Sequence, residues 1–332
     1  MKKNYILVLI AIILLLAIGI VFWVKNHKVQ KSELTQITLG EVTHSAFYAP
    51  LYVALERGYF KDEGLEIELV MISGANNVTA AVLSGDVEIG FCGPEATIYI
   101  YNGGEKDYIQ SFAGLTKRDG QFIVAREKID NFSWSDLEGK TVLAGRIGGM
   151  PELNFENALR HAGIDKNKVK IDTSVDFASL TSAFISGSAD MVNLFEPNAL
   201  KLENMGYGYV VASVGEKSGE MPYTAFNARK SYIEKNRDTI EAFTRAIAKG
   251  LKFVKENDSE TIAKSINPQF TDISLEDLTK IVKRYKDADS WLDTPFIENK
   301  LFENLEDIMI YSGEISAYVP YLDLIDNAHK NS

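Results

Sequence analysis

Two stretches about 103 residues apart carry the same pattern, and this internal repeat constrains the fold more than any other feature of the chain. AVLSGDVEIGFCGPEA (81–96) aligns with AFISGSADMVNLFEPNA (183–199). Each reads as a helix end, a Ser-Gly turn, a short strand carrying an acid, and a proline-containing loop that opens another helix. The match continues upstream, where QITLGEVTHSAFYAPLYVALERG (36–58) parallels KTVLAGRIGGMPELNFENALRHAG (140–163). After each comes a strand, LEIELV or VKIDTS, and then a second helix, expected over 76–83 and 177–185. Each half is therefore β-α-β-α-β, the alternation of a mostly parallel sheet with crossover helices.

The halves are interleaved rather than appended. YIQSFAGLTKRDGQFIVAR (108–126) reads as two strands around a turn at Asp119-Gly120, and YTAFNAR (223–229) as a further strand after a Gly/Ser-rich loop at 215–219. The chain then crosses between lobes twice, near 118–128 and 212–224. This gives residues 33–122 and 222–332 to a first, discontinuous lobe and 123–221 to a second. From about residue 231 the sequence is mainly amphipathic helix, as in KNRDTIEAFTRAIAKGLKFVKEN. Two open α/β lobes joined by two strands form a hinged clam. Ligands of such sheets bind beyond the carboxyl ends of the strands, where helix N-termini present free N–H groups. The repeat names four such corners, 42–49, 91–96, 145–152 and 193–197, and predicts that all four face one cleft.

Residues 1–32 stand outside this scheme. Tyr5 to Val24 is an uncharged apolar run of about 20 residues, long enough as a helix to span the roughly 30 Å hydrocarbon core of a bilayer. Secretory signal cores are shorter, about 7–15 residues. The run therefore reads as an uncleaved anchor, with a cleaved signal as the alternative. Lysines flank both ends, so charge does not set its orientation. Residues 1–32 hold five lysines and no acid, which leaves 30 basic residues against 46 acidic ones in the rest of the chain. A body that acidic repels nucleic acid and anionic membrane faces, so the membrane is met only through residues 5–24. Cys92 is the sole cysteine, which excludes an intramolecular disulfide and a lipid-modified cysteine after the apolar run.

YAPLYVALERGYFKDEGLEIEL, followed by AAVLSGDVEIGFCGPEA, resembles the signature of solute-binding proteins in the nitrate/sulfonate/taurine and thiamine-pyrimidine-precursor group. The matching positions are Pro50, Ala54, Gly58, Tyr59, Phe60, Gly64, Leu65, Ser84, Gly85, Glu88, Ile89 and Gly90. The resemblance covers roughly residues 36–255, with LEGKTVLAG and FEPNALKLE fitting the second lobe. It implies a two-lobed type II periplasmic-binding-protein fold and delivery of a captured small molecule to an ABC permease and its ATPase. The chain departs from the common lipoprotein form in having no anchoring cysteine, and a transmembrane anchor supplies the same tether.

The candidate ligand-binding residues come from the four corners. His44 and Ser45 precede a helix with Phe47 and Tyr48 behind them. Ser45 reads as an N-cap, while His44 and Tyr48 offer ring faces and polar tips to a ligand. Gly93, Pro94 and Glu95 form the second corner, where Glu95 either complements the helix dipole or accepts hydrogen bonds from the ligand. Gly148, Gly149 and Met150 form a third, whose paired glycines suit close backbone approach. Asn193, Phe195 and Glu196 form the fourth. Lys117 and Arg118 read as solvated flanks of the Asp119-Gly120 turn. The histidines, His27, His44, His161 and His329, are scattered, and neither a P-loop, a nucleophile elbow nor His/Cys metal spacing is present. No cofactor or catalysis is expected.

These readings combine into a monomeric, extracytoplasmic solute-binding protein, membrane-tethered or, if cleaved, periplasmic or secreted. The rivals are a pyrimidine-precursor-forming enzyme of the same fold and a membrane-bound ligand sensor. The ligand class turns on Glu95 and Glu196. A carboxylate buried beside an anion is costly, so glutamates facing the cleft favour a heterocycle with N–H donors, such as a thiamine pyrimidine precursor. Glutamates turned outward favour sulfonate, taurine or nitrate.

Overall fold

Burial along the strands decides the architecture. The structure, a computed structural model, describes residues 34–327. The apolar run at 5–24, expected to be a membrane helix, lies outside them, as do His27 and His329. Among the described residues no helix is long and apolar enough to cross a membrane. Strands β1 (Thr35–Glu41), β2 (Leu65–Met71), β3 (Ile89–Cys92) and β4 (Ile109–Thr116) belong to the first half, and β5 (Phe122–Ala125) follows the first crossing. Strands β6 (Thr141–Leu143), β7 (Lys170–Asp172), β8 (Met191–Leu194) and β9 (Tyr209–Ser213) make the second half, and β10 (Thr224–Arg229) follows the second crossing.

The strands form two five-stranded sheets of identical plan, β2-β1-β3-β10-β4 and β7-β6-β8-β5-β9. In each, the first three strands are parallel, as crossover helices require, and the fourth runs antiparallel. That fourth strand is exchanged. β10 reaches the first sheet only after the chain has built the second, and β5 enters the second before its other strands exist. Phe122, placed by its sequence position in the first lobe, is thus the first residue of a strand in the second sheet. The central strands β3 and β8 are buried along their whole length, which fits sequences that are apolar but for Asn193 in β8.

Helices α1 (Ala49–Glu56), α2 (Ala75–Ser84) and α3 (Glu95–Asn102) connect the first half. In the second half α4 (Met150–His161), α5 (Leu180–Ile185) and α6 (Asn198–Asn204) occupy the corresponding places. The amphipathic C-terminal segment folds into α7 (Arg237–Glu256), α8 (Ser259–Ile266), α9 (Leu275–Asp287) and α10 (Asn299–Ser312). Helix α7 crosses α1 so closely that a Cβ on Gly250 would stand 2.1 Å from the Pro50 carbonyl oxygen. Helices α9 and α10 reach the second half: Arg284 pairs with Glu196, and Ser312 donates to Glu156 at 3.1 Å.

The two crossings are bonded to each other. Val214 N–H donates to the Gln121 carbonyl at 3.0 Å, Met221 N–H to that of Lys117 at 3.0 Å, and Tyr223 N–H to that of Thr116 at 3.0 Å. Lys117 and Arg118 are not free in solvent; both are largely buried and pair with Glu220 and Asp289. At the closest point a Cβ on Gly215 would lie 2.1 Å from the Asp119 carbonyl oxygen, so only glycine fits there. Gly215→Ala must push the crossings apart, and overpacking of this kind costs about 1–3 kcal/mol. Equilibrium denaturation should show that loss; an unchanged midpoint would contradict so close an approach.

Candidate functional site

Parallel strands end at their carboxyl tips in turns, and those turns meet between the sheets. There they enclose a cavity of about 460 Å³. All four corners contribute: Val42, Thr43 and Tyr48 from the first, Gly93 and Glu95 from the second, Arg146, Gly149, Met150 and Pro151 from the third, and Phe195 from the fourth. The wall is mainly apolar and aromatic. Phe195 lies with its ring centroid 5.7 Å from that of Phe177, another wall residue, and 6.3 Å from that of Tyr223. Tyr48 sits edge-on against Phe91 at 4.5 Å.

Glu95 is the buried charge in this wall. It is 2% exposed, and its Oε2 has no hydrogen-bond partner. Burial pushes its pKa up to about 7, against the opposing influence of Arg146 and of the N–H groups of Glu95, Ala96 and Met150. Met150 opens α4 in the other half, so this carboxyl faces helix starts from both sides of the cleft. Gly93 serves that arrangement. Its expected role was close approach to a ligand, but a Cβ there would stand 2.1 Å from Glu95 Oε2 and 2.6 Å from Met150 Cγ. The missing side chain makes room for the carboxyl.

Of the sequence-derived candidates, Tyr48, Gly93, Glu95, Gly149, Met150 and Phe195 line the cavity, whereas His44, Ser45, Phe47, Pro94, Gly148, Asn193 and Glu196 do not. Their positions have physical reasons. Ser45 caps the short helical turn at Ala46–Tyr48 and donates across the cleft to the Glu196 carbonyl at 2.6 Å. Phe47 packs under Gly120 and against Tyr285, Phe195 and Tyr223, behind the wall. Pro94 is the N-cap residue of α3. Gly148, at φ 67°, accepts from the Tyr99 hydroxyl at 2.9 Å and donates to Glu152 at 3.1 Å. Asn193 is fully buried in β8 with both amide atoms unpartnered.

Glu196 points away from the cavity. One oxygen meets Arg284 at 2.5 Å, and the other accepts from Leu200 N–H at 2.8 Å. Its own N–H donates to the Tyr285 hydroxyl at 2.8 Å. Burial raises its pKa even so, with Arg284 opposing the rise. The two glutamates that looked equivalent in sequence therefore have different environments: one is ion-paired, the other lines the cavity.

The sequence reading missed two further strand-end corners, Ser73–Asn77 after β2 and Asp176–Ala178 after β7, and the Tyr223-Thr224 floor. The repeat already carried the signal for the first two, since both precede its second helix. Tyr223 immediately precedes β10, in the strand the sequence placed at 223–229 outside the β-α-β-α-β repeat, so the repeat did not mark it as a corner.

The paired sheets and the strand-end cavity define a periplasmic-binding-protein fold. The chain belongs to the NMT1/THI5-like family, whose model matches residues 46–261. It is 41% identical over 298 residues to the "Putative binding protein YtlA" of Bacillus subtilis, covering 90% of this chain and 89% of that one. It is 24% identical over 298 residues to a formylaminopyrimidine-binding protein of Halalkalibacterium halodurans, covering 79% of this chain and 88% of the relative. Among solved structures, the alkanesulfonate-binding protein SsuA of Xanthomonas axonopodis shares the fold with a TM-score of 0.69 at 14% identity. That match covers 88% of this chain and 98% of the other.

His44, a candidate ligand contact, is a clamp instead. Its Nδ1 lies 2.7 Å from Glu41 Oε1 and its Nε2 lies 2.9 Å from the Gln269 carbonyl oxygen. Both ring nitrogens thus face oxygens able to accept a proton bond, an arrangement that favours the imidazolium. Burial lowers the pKa, but the bonds to Glu41 and Gln269 and the charges of Glu41 and Asp272 outweigh it, and the net shift is upward. A raised folded pKa means the stabilisation is fully present below the unfolded value of about 6.5 and is lost as pH rises through the folded value. His44→Gln should therefore be destabilised most at pH 5.5, with the gap to wild type narrowing by pH 9 in urea titrations. A gap that widens with pH would refute the clamp.

Proposed function

We propose that this protein is the extracytoplasmic solute-binding component of an ABC importer. It captures a small polar organic molecule between its two lobes and delivers it to a permease and its ATPase. Capture occurs by closure about the paired crossings, and the chain acts as a monomer tethered through residues 5–24. The family, the fold and the identity to a binding protein over 90% of the chain support the role.

The ligand class rests on one observation: a buried carboxyl, Glu95, with an unpartnered oxygen in an aromatic wall. An unpartnered buried acceptor is costly, and a ligand N–H donor would remove that cost. The aromatic wall suits a planar ring. A donor-bearing heterocycle such as a thiamine pyrimidine precursor satisfies both features, and a distant relative is a formylaminopyrimidine-binding protein. A sulfonate, taurine or nitrate ranks next, because its anionic end would meet Glu95.

Other distant relatives are 4-amino-5-hydroxymethyl-2-methylpyrimidine phosphate synthases, one from Aspergillus parasiticus at 24% identity over 227 residues. Cys92 does not suit this chain to cysteine chemistry at the cavity. It is buried outside the wall, with Asn227 Nδ2 3.6 Å from its sulfur, and burial pushes its thiol pKa well up.

Calorimetric titration with formylaminopyrimidine, taurine, an alkanesulfonate and nitrate tests the ligand class. Glu95 is deprotonated above about pH 7, so affinity for a donor ligand of constant charge should rise between pH 6 and pH 8. Hydrogen bonds to charged groups contribute about 1.5–3 kcal/mol, so Glu95→Gln should weaken binding by roughly 10- to 100-fold and flatten the pH profile. Tight sulfonate binding that is unchanged in Glu95→Gln would overturn the heterocycle assignment.

A further inference from the structure

A buried pair of like charges sits on the seam between the second half and the C-terminal helices. Glu152 and Glu156 lie four residues apart on α4, and so on one face of it. Both are more than nine-tenths buried. Among the described residues one cation pairs with them: Lys166, whose Nζ stands 2.6 Å from Glu156 Oε2. Ser312, at the end of α10, donates to the same oxygen at 3.1 Å. Glu152 Oε2 accepts from the Gly148 N–H at 3.1 Å.

Burial pushes the Glu152 pKa up to about 7, and the Glu156 charge beside it adds to the rise, against the Gly148 N–H and Lys166. The other groups around α4 supply no second cation to the pair. The helical turn Val214–Ser218 meets it through neutral bonds, from Asn157 to the Ser218 carbonyl and from the Ser218 hydroxyl to Asn154. Arg160 lies over the Tyr311 ring of α10 at 4.4 Å, and His161 faces the Lys217 carbonyl at 3.1 Å. Glu314, beyond α10, takes the Tyr99 hydroxyl at 3.1 Å, and a Cβ on Gly148 would stand 3.0 Å from its Oε2. Glu306, the other buried acid of α10, is engaged within the C-terminal segment by the Val319 N–H at 2.6 Å.

The third corner hangs on this seam. Gly148 links Glu152 to Tyr99 on α3 of the first half, and Gly149 and Met150 of the same turn line the cavity. Ionising Glu152 sets two carboxylates side by side out of water, a penalty relieved when water enters between α4 and α10.

We propose that Glu152 and Glu156 form a proton-loaded latch: with a proton on Glu152, α4 stays packed against α10 and the third corner stays shut on the first half, and loss of that proton loosens the seam. The latch works whatever solute the cavity takes, and Glu95 is no part of it. The closed seam holds the proton more tightly than an opened one, where Glu152 returns to its ordinary value of 4.5. Closure is therefore favoured at low pH and loses that advantage as pH rises through about 7.

Hydrogen exchange of the full chain without ligand tests the latch, comparing α4 with α7 at exposure times scaled for the intrinsic pH dependence of exchange. Protection of α4 should fall about tenfold from pH 6 to pH 8, the change that those two pKa values imply, while that of α7 holds. Glu152→Gln keeps the shape of the protonated acid and should keep α4 protected at pH 8. Glu156→Gln removes the neighbouring charge and should shrink the fall. A flat wild-type profile overturns the latch. So does a fall that survives in Glu152→Gln or, should that variant not fold, one that keeps its full size in Glu156→Gln. A fall that vanishes in Glu95→Gln but not in Glu152→Gln also overturns it and assigns the proton to the cavity wall.

Discussion

The exchange of the fourth strand is the constraint on which the rest depends. Each sheet is completed by a strand whose sequence neighbours lie in the other, so neither half reaches its five-stranded form alone. The exchange also forces two crossing segments through one narrow place, where Gly215 meets the Asp119 backbone and Gly120 meets the Phe47 ring. Once the crossings are bonded side by side, the carboxyl ends of β1 and β3 must confront those of β6 and β8. The cavity follows from that topology.

Burying strand ends buries the acids that sit on them, and their partners sort structural from functional positions. Glu41 receives the Tyr52 hydroxyl at 2.7 Å and His44. Glu196 receives Arg284 and a helix N–H. Both are satisfied by groups of the fold itself, some contributed by the C-terminal helices. Glu95 differs because one oxygen is left over, and burial raises its pKa nearly to neutrality. A buried carboxyl completed by its own chain serves stability; one left incomplete in a cavity wall is available to a ligand.

The sheet plan was legible in sequence because the repeat preserves the order of strand, turn and helix, which hydrophobic alternation and Gly/Pro punctuation report directly. Which side chain turns inward at each corner was harder to read. GPEA and FEPNA both pair a glutamate with a proline, but in opposite order. Aligned on the proline, Glu95 matches Asn198, and Glu196 matches Gly93. Glu95 therefore starts its helix after the proline and lines the cavity, while Glu196 precedes its proline and meets α9. His44 was misread for a different reason. Its partners Glu41 and Gln269 lie 3 and 225 residues away, and the second distance is invisible to any local pattern. Arg146 stood in the same turn as the paired glycines, which drew attention to backbone donors and away from the side chain.

Closure of the cleft has identifiable contacts. Ser45 reaches the Glu196 carbonyl, Tyr99 reaches Gly148, and α9 holds Glu196 through Arg284 and Tyr285. Against these stand polar atoms buried without partners near the crossings, namely Gln121 Oε1 and the Asn193 amide. Each such group costs about 1–3 kcal/mol, comparable to what a single cross-cleft hydrogen bond returns. Burial holds the Asp119 carboxyl well above the usual carboxylate range, against the opposing influence of the Gln121 N–H and the Tyr223 hydroxyl. The direct contacts between halves are thus opposed by groups of similar energy at the same seam. A ligand donor that satisfied Glu95 Oε2 would stabilise the closed side alone, and a ligand shifts a conformational equilibrium only through such differential binding.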